Sequence, residues 1–184
     1  MKKCILVKLD IFIKIGLGHF SRINNIAKAD HKNDYFLIYR SDIDVRALFK
    51  ESGFIEHFDI SSMEDNYKWD HLNKSKNLKN SDYYDDISSI NLFKKEVEKK
   101  YGIVHSLLID NYLVNQEWFD ILRENSDLKN LNIIYIDDFN RDFDNINLNI
   151  FYPSDKNQLV KKNNNKLLAE GLRFTPFSLE IVKK

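Results

Sequence analysis

Residues 3–29, KCILVKLDIFIKIGLGHFSRINNIAKA, decide the fold. Cys4-Ile5-Leu6-Val7-Lys8 is a short apolar run led by β-favouring residues, the pattern of a strand buried in a sheet. Gly16-Leu17-Gly18 punctuates it. From His19 to Ala29 the apolar residues fall at Phe20, Ile23, Ile26 and Ala27, the spacing of one helix face. A strand, a Gly-x-Gly loop and a helix let backbone approach an anion at the helix N-terminus. A plain tight turn reads the same way, and Ser21 stands where a dinucleotide fingerprint needs its third glycine.

Outward from this unit the alternation continues. Asp34 to Tyr39 reads as a second strand. Ser41 or Asp42 caps a helix through Val45, Leu48 and Phe49 that stops at Gly53, and Phe54 to Ile60 is a third strand. Residues 61–86, rich in Asn, Lys, Asp and Ser, lose periodicity and read as an irregular insertion. A helix starts at Ser88 or Ser89. His105 to Asp110 is the clearest strand, Gln116 to Asn125 a helix, Asn132 to Asp137 a strand and Asn147 to Tyr152 a last short one. Residues 153–184 form a polar tail leading toward a second domain outside this chain. The expected class is α/β, one Rossmann-like domain over residues 1–184 with a mostly parallel sheet and helices on both faces. Ligands in such sheets sit beyond the carboxyl ends of the strands, here residues 10–19, 110–112 and 137–140.

Composition narrows the function. In 184 residues, 28 Lys+Arg balance 28 Asp+Glu, which argues against an all-round nucleic-acid or anionic-membrane binder. A single cysteine, Cys4, excludes a disulfide within the chain and a cysteine-based zinc site, and it fits a reducing cytoplasmic setting. A hydrophobic content of 43% is too rich for a disordered chain. No apolar run reaches the roughly 20 residues of a membrane span. Lys8 and Asp10 cut the N-terminal apolar stretch short of a signal peptide.

His19 is the leading chemical candidate. At the first turn of a helix the positive end of the dipole favours the neutral imidazole, the form a general base needs. His31, His57, His71 and His105 have no comparable frame. Asp110-Asn111-Tyr112 closes an apolar strand at its ligand-facing end, where an acid either orients an imidazole or caps a loop. Asp137-Asp138 invites a metal reading, but adjacent acids on a strand point to opposite faces, and no Asp/His spacing makes a metal site. No Gly-x-Ser-x-Gly occurs and Cys4 lies inside a strand, so nucleophilic Ser or Cys chemistry has no support. No cofactor is expected.

Four landmarks in order resemble one family, the UDP-2,4-diacetamido-2,4,6-trideoxy-β-L-altropyranose hydrolases of pseudaminic acid biosynthesis. Asp10, Gly16, Gly18, His19, Arg22 and Ile26-Ala27 resemble its opening Arg-x-Asp, Gly-x-Gly-His-x-x-Arg and Leu-Ala. Leu108-Ile109-Asp110-Asn111-Tyr112 resembles its Asp-His-Tyr strand end, and Ile136-Asp137-Asp138 its double acid. Gly171-Leu172-Arg173-Phe174-Thr175-Pro176 resembles the segment before its second domain.

The resemblance implies the N-terminal half of a glycosyltransferase-B fold, in which two Rossmann-like domains face each other across a cleft. It implies metal-independent hydrolysis, with water attacking the anomeric carbon of a UDP-sugar and UDP leaving with inversion. His19 would be the base, with Asp10, Gly16, Gly18, Arg22, Asp110 and Tyr112 meeting the substrate. Lys8 departs from the family's arginine and Asn111 from its histidine. The implied partners are the UDP-sugar and a separately encoded second domain. The alternatives are a non-catalytic sugar- or partner-binding remnant of the fold, and half of a glycosyltransferase.

Overall fold

Every residue of β1 (Lys3–Ile11) after Lys3 is buried, because both faces of this strand are covered. Ile5, Val7, Leu9 and Ile11 face one side, where they meet Phe20, Ile23 and Ala27 of α1 (Gly18–Ala29). Cys4 and Leu6 face the other, where the core continues into α3 (Asn80–Tyr101) through Ile87, Ile90 and Val97, and into α4 (Gln116–Glu124) through Trp118, Phe119 and Leu122. The one-turn α2 (Arg46–Phe49) lies beside α1, Phe49 packing on Phe20.

The computed structural model describes residues 2–12, 17–60, 80–139, 141, 143–151, 159–163 and 166–170. The remaining strands are β2 (Asn33–Ser41), β3 (Phe54–Asp59), β4 (Val104–Asp110), β5 (Asn132–Ile136), β6 (Leu148–Phe151), β7 (Leu159–Asn163) and β8 (Lys166–Glu170). They form one sheet in the order β3-β2-β1-β4-β5-β6-β8-β7. All neighbouring pairs are parallel except β7 with β8, which are antiparallel. The run 3-2-1-4-5-6 is the Rossmann order, and its direction reverses between β1 and β4. In sheets of this order ligands sit at the carboxyl ends of the strands where the order reverses, here between β1 and β4.

Three expectations are corrected. Residues 80–86, assigned to an irregular insertion, are the first two turns of α3, and residues 61–79 lie outside the described residues. Tyr83, Ile87, Ile90 and Val97 continue one buried helix face back through a stretch whose aspartates masked it. The helix expected from Ser41 or Asp42 is only one turn, because the Ser41 hydroxyl donates to the Ile11 carbonyl at 2.8 Å and ties β2 to β1 instead. The tail holds the β7–β8 hairpin, which extends the sheet edge, while residues 171–184 and their fourth landmark lie outside the described residues.

Gly53 shows a close approach that only glycine permits. A Cβ there would come within 2.7 Å of the Lys28 nitrogen, and the Gly53 amide donates to Asn24 Oδ1 at 2.8 Å. This contact seats the C-terminal half of α1 against the turn before β3. Among the described residues, no helix is long and apolar enough to cross a membrane.

Candidate functional site

The helix that follows β1 starts at Gly18, with Leu17 in the cap position and no side-chain cap, so His19 is its second residue. Arg22 follows one turn later on the same face. Asp110 is the last residue of β4, directly across the strand-order reversal, and Asp138 comes two residues after β5. The four meet. His19 Nδ1 makes a short hydrogen bond to Asp110 Oδ1, and both side chains are buried.

Arg22 fills the space between the two acids. Its Nε and Nη2 donate to Asp110 Oδ2 and Oδ1 at 2.8 and 2.5 Å, and its Nη1 and Nη2 donate to Asp138 Oδ1 and Oδ2 at 2.8 and 3.2 Å. Tyr112 completes the group, donating its hydroxyl to Asp138 Oδ2 at 2.7 Å and setting its ring edge-on to His19 at 4.2 Å. Arg141 braces the wall from behind. Its Nη1 donates to the carbonyls of Tyr112 (2.9 Å) and Val114 (3.2 Å), linking the segments after β4 and β5.

The electrostatics follow from this geometry. Burial acts to raise the Asp138 carboxyl, but the hydrogen bonds from Arg22 and Tyr112 outweigh it and hold the group below its ordinary 3.8. Burial, followed by the bond to Asp138, pushes the Tyr112 phenol well above its ordinary range. With the Nδ1 proton directed to Asp110, Nε2 would be the acceptor of the ring; Arg22 Nη2 also lies 3.2 Å from Nδ1. That is the base-and-orienter arrangement of general-base catalysis.

His19, Asp110 and Asp138 each offer a ligand atom within 4.8 Å of the others, a set that by distance alone suits a metal. Arg22 already donates to all four carboxylate oxygens, so an ion there would have to displace a guanidinium from a largely buried site. The chemistry of this set is that of a tethered organic cation.

Of the residues singled out from the sequence, His19, Arg22, Asp110 and Tyr112 come together. Gly18 adjoins them, and a Cβ there would meet nothing within 4 Å. Gly16 lies outside the described residues. Asp10 does not join the group. It lies on the opposite face of β1, bonded to Lys8 Nζ at 2.8 Å. Asp137 and Asp138 lie beyond the end of β5 and separate there: Asp138 turns to Arg22, while Asp137 accepts from the Phe139 amide at 2.9 Å.

Asp138 is the member the sequence reading left out. Its signal was the double acid at a strand end, for which the metal reading was set aside and the pairing with an arginine one turn beyond a histidine was not drawn. Leu17, Tyr112 and Phe139 are exposed large hydrophobics, with Tyr112 against His19 and Phe139 against Tyr112. Neither a scan against protein-family models nor a search of curated proteins finds a match for this chain.

Proposed function

We propose that this chain is a UDP-sugar hydrolase-like domain in which His19 activates a water molecule for attack at the anomeric carbon. The observation that carries the reading is the His19–Asp110 pair at the strand-order reversal. Asp110 fixes the imidazole with Nδ1–H toward itself, and Nε2 takes a proton from water. The water oxygen bonds to the anomeric carbon as the bond from that carbon to the UDP oxygen breaks, and UDP leaves with the bonding pair. Aspartate behind the ring stabilises the imidazolium that forms. A second domain of the kind the resemblance implies would hold the UDP, and the exposed Leu17, Tyr112 and Phe139 are the apolar rim it would cover.

A second reading rests on Arg22. It donates to all four oxygens of the two carboxylates, so a substrate hydroxyl would compete with it for them, as in a non-catalytic sugar- or partner-binding remnant. Half of a glycosyltransferase would differ in using a hydroxyl where the hydrolase uses water. UDP release from candidate UDP-sugars separates these readings, measured with the chain alone and with a separately encoded second half. The hydrolase reading expects turnover that His19→Ala abolishes without loss of fold. No turnover in either mixture refutes it, and binding that survives His19→Ala favours the remnant.

A further inference from the structure

Tyr112 lies edge-on against His19, and its own place depends on a side chain outside the His19 group. The Arg141 guanidinium packs over the rings of Tyr135, Phe139 and Phe143, its central carbon 5.5, 5.4 and 5.2 Å from their centroids. Its Nη1 donates to the Tyr112 and Val114 carbonyls, and its Nη2 to the Tyr135 hydroxyl. That hydroxyl in turn donates to the Asn111 carbonyl at 3.4 Å. Burial pushes the Tyr135 phenol above its ordinary range, so it stays protonated and keeps its donor. The carbonyls of Asn111, Tyr112 and Val114, all within the turn that follows Asp110, thus end on Arg141, directly or through Tyr135.

Two further bonds shape the same turn. Asn111 Oδ1 accepts from the Leu113 amide at 2.8 Å, a bond internal to the turn that does not tie it to β5. The Tyr112 hydroxyl bonds Asp138, which fixes the far end of that side chain, while Arg141 fixes the backbone it springs from. The double acid is shared between two arginines. Asp138 pairs with Arg22, and the fully buried Asp137 has its Oδ1 3.6 Å from Arg141 Nε. Arg141 therefore does two separable things: it sets a positive charge beside Asp137, and it spans two carbonyls and a hydroxyl with its fork. Only the second needs an arginine, since an ammonium is a point charge without fixed donor directions.

We propose that Arg141 is a positioning residue, pinning the backbone on either side of Leu113 so that the Tyr112 ring is held edge-on to His19 and the imidazole stays aligned on Asp110. Its effect on catalysis rests on the hydrolase reading; the positioning itself does not.

The ring contact gives a readout that needs no substrate. Tyr112 at 4.2 Å shifts the His19 Cε1–H proton resonance by its ring current, and His19→Gln identifies that resonance among the five histidines. Tyr112→Leu marks where the signal falls without the ring. In Arg141→Met and Arg141→Lys the His19 signal should move from the parent position toward that of Tyr112→Leu. Tyr135→Phe, which removes one hydroxyl, should move it the same way by less. Arg141→Lys should melt above Arg141→Met, because Asp137 keeps a counter-charge. Should Arg141→Met fail to fold, the other two variants decide. A His19 signal at the parent position in Arg141→Lys, or one unmoved in Tyr135→Phe, overturns the proposal. In UDP release, Arg141→Lys should lower kcat about 10²-fold, as for a misplacement of about 1 Å, with KM nearly unchanged. Turnover in the parent with kcat unaltered in Arg141→Lys overturns the catalytic consequence. A parent that turns over no UDP-sugar refutes the hydrolase reading instead, and the resonance shifts still decide the positioning.

Discussion

Replacing Arg22 with alanine tests whether the His19 network is a desolvated charge cluster or a surface ornament. Arg22 supplies four hydrogen bonds to two carboxylates, with side-chain exposures of 16% for Arg22, 0% for Asp110 and 19% for Asp138. Without it, Asp110 keeps only the His19 bond and is left as a buried anion short of its counter-charge. Breaking a buried pair from one side costs about 3–5 kcal/mol. At about 2–4 °C per kcal/mol for a chain of this size, the melting temperature should fall by about 6–20 °C. Asp138→Asn, which leaves the Arg22–Asp110 contacts in place, should cost about 1 kcal/mol.

Acid sharpens the same test. The Asp138 carboxyl is held below 3.8 in the folded protein, so its contribution to stability is present above that value. It is lost as pH falls from about 3.8 through the lower folded value, where Asp138 takes up a proton. In Arg22→Ala the acid-dependent loss should be smaller, because the main group holding that proton off is gone. Thermal unfolding followed by circular dichroism between neutral and acid pH measures both effects. A variant melting within about 2 °C of the parent at neutral pH would refute the claim that these charges are desolvated, since a screened surface pair is worth only about 0–1 kcal/mol.

Two further predictions concern the scaffold that places these residues. Gly53→Ala puts a methyl within 2.7 Å of the Lys28 nitrogen and 2.8 Å of the Ala27 carbonyl carbon, so denaturant unfolding should show a loss of about 1–3 kcal/mol. Asn115 caps α4 by accepting from the Trp118 amide at 3.0 Å, and Asn115→Ala should cost about 1 kcal/mol in the same assay; no change would mean that the cap is dispensable.

The halves of each charged group are far apart in the chain and become neighbours only at the sheet edge. His19 and Asp110 are separated by 91 residues, Arg22 and Asp138 by 116. His19 was legible from its place at a helix start, and Arg22 through the motif the resemblance rests on; helical spacing puts the two on one face. Asp110 was legible because an apolar strand ends there. Asp138 and the turn of Asp10 away from His19 were not, because side-chain direction depends on the register of a strand within the assembled sheet. A one-residue change of phase sends every side chain to the other face.

The sequence by itself determined the alternation of strand and helix, the parallel sheet it demands, and the position of His19 at a helix start. These are local matters of apolar spacing and turn residues, which need no knowledge of the partner strand. Only the tertiary structure decided the strand order, with its reversal between β1 and β4. It also divided the buried and half-buried charges between two faces, His19, Arg22, Asp110 and Asp138 on one and Lys8, Asp10, Arg40 and Asp86 on the other. A buried charge persists only beside its counter-charge, and which counter-charge arrives is settled by packing between elements distant in the chain.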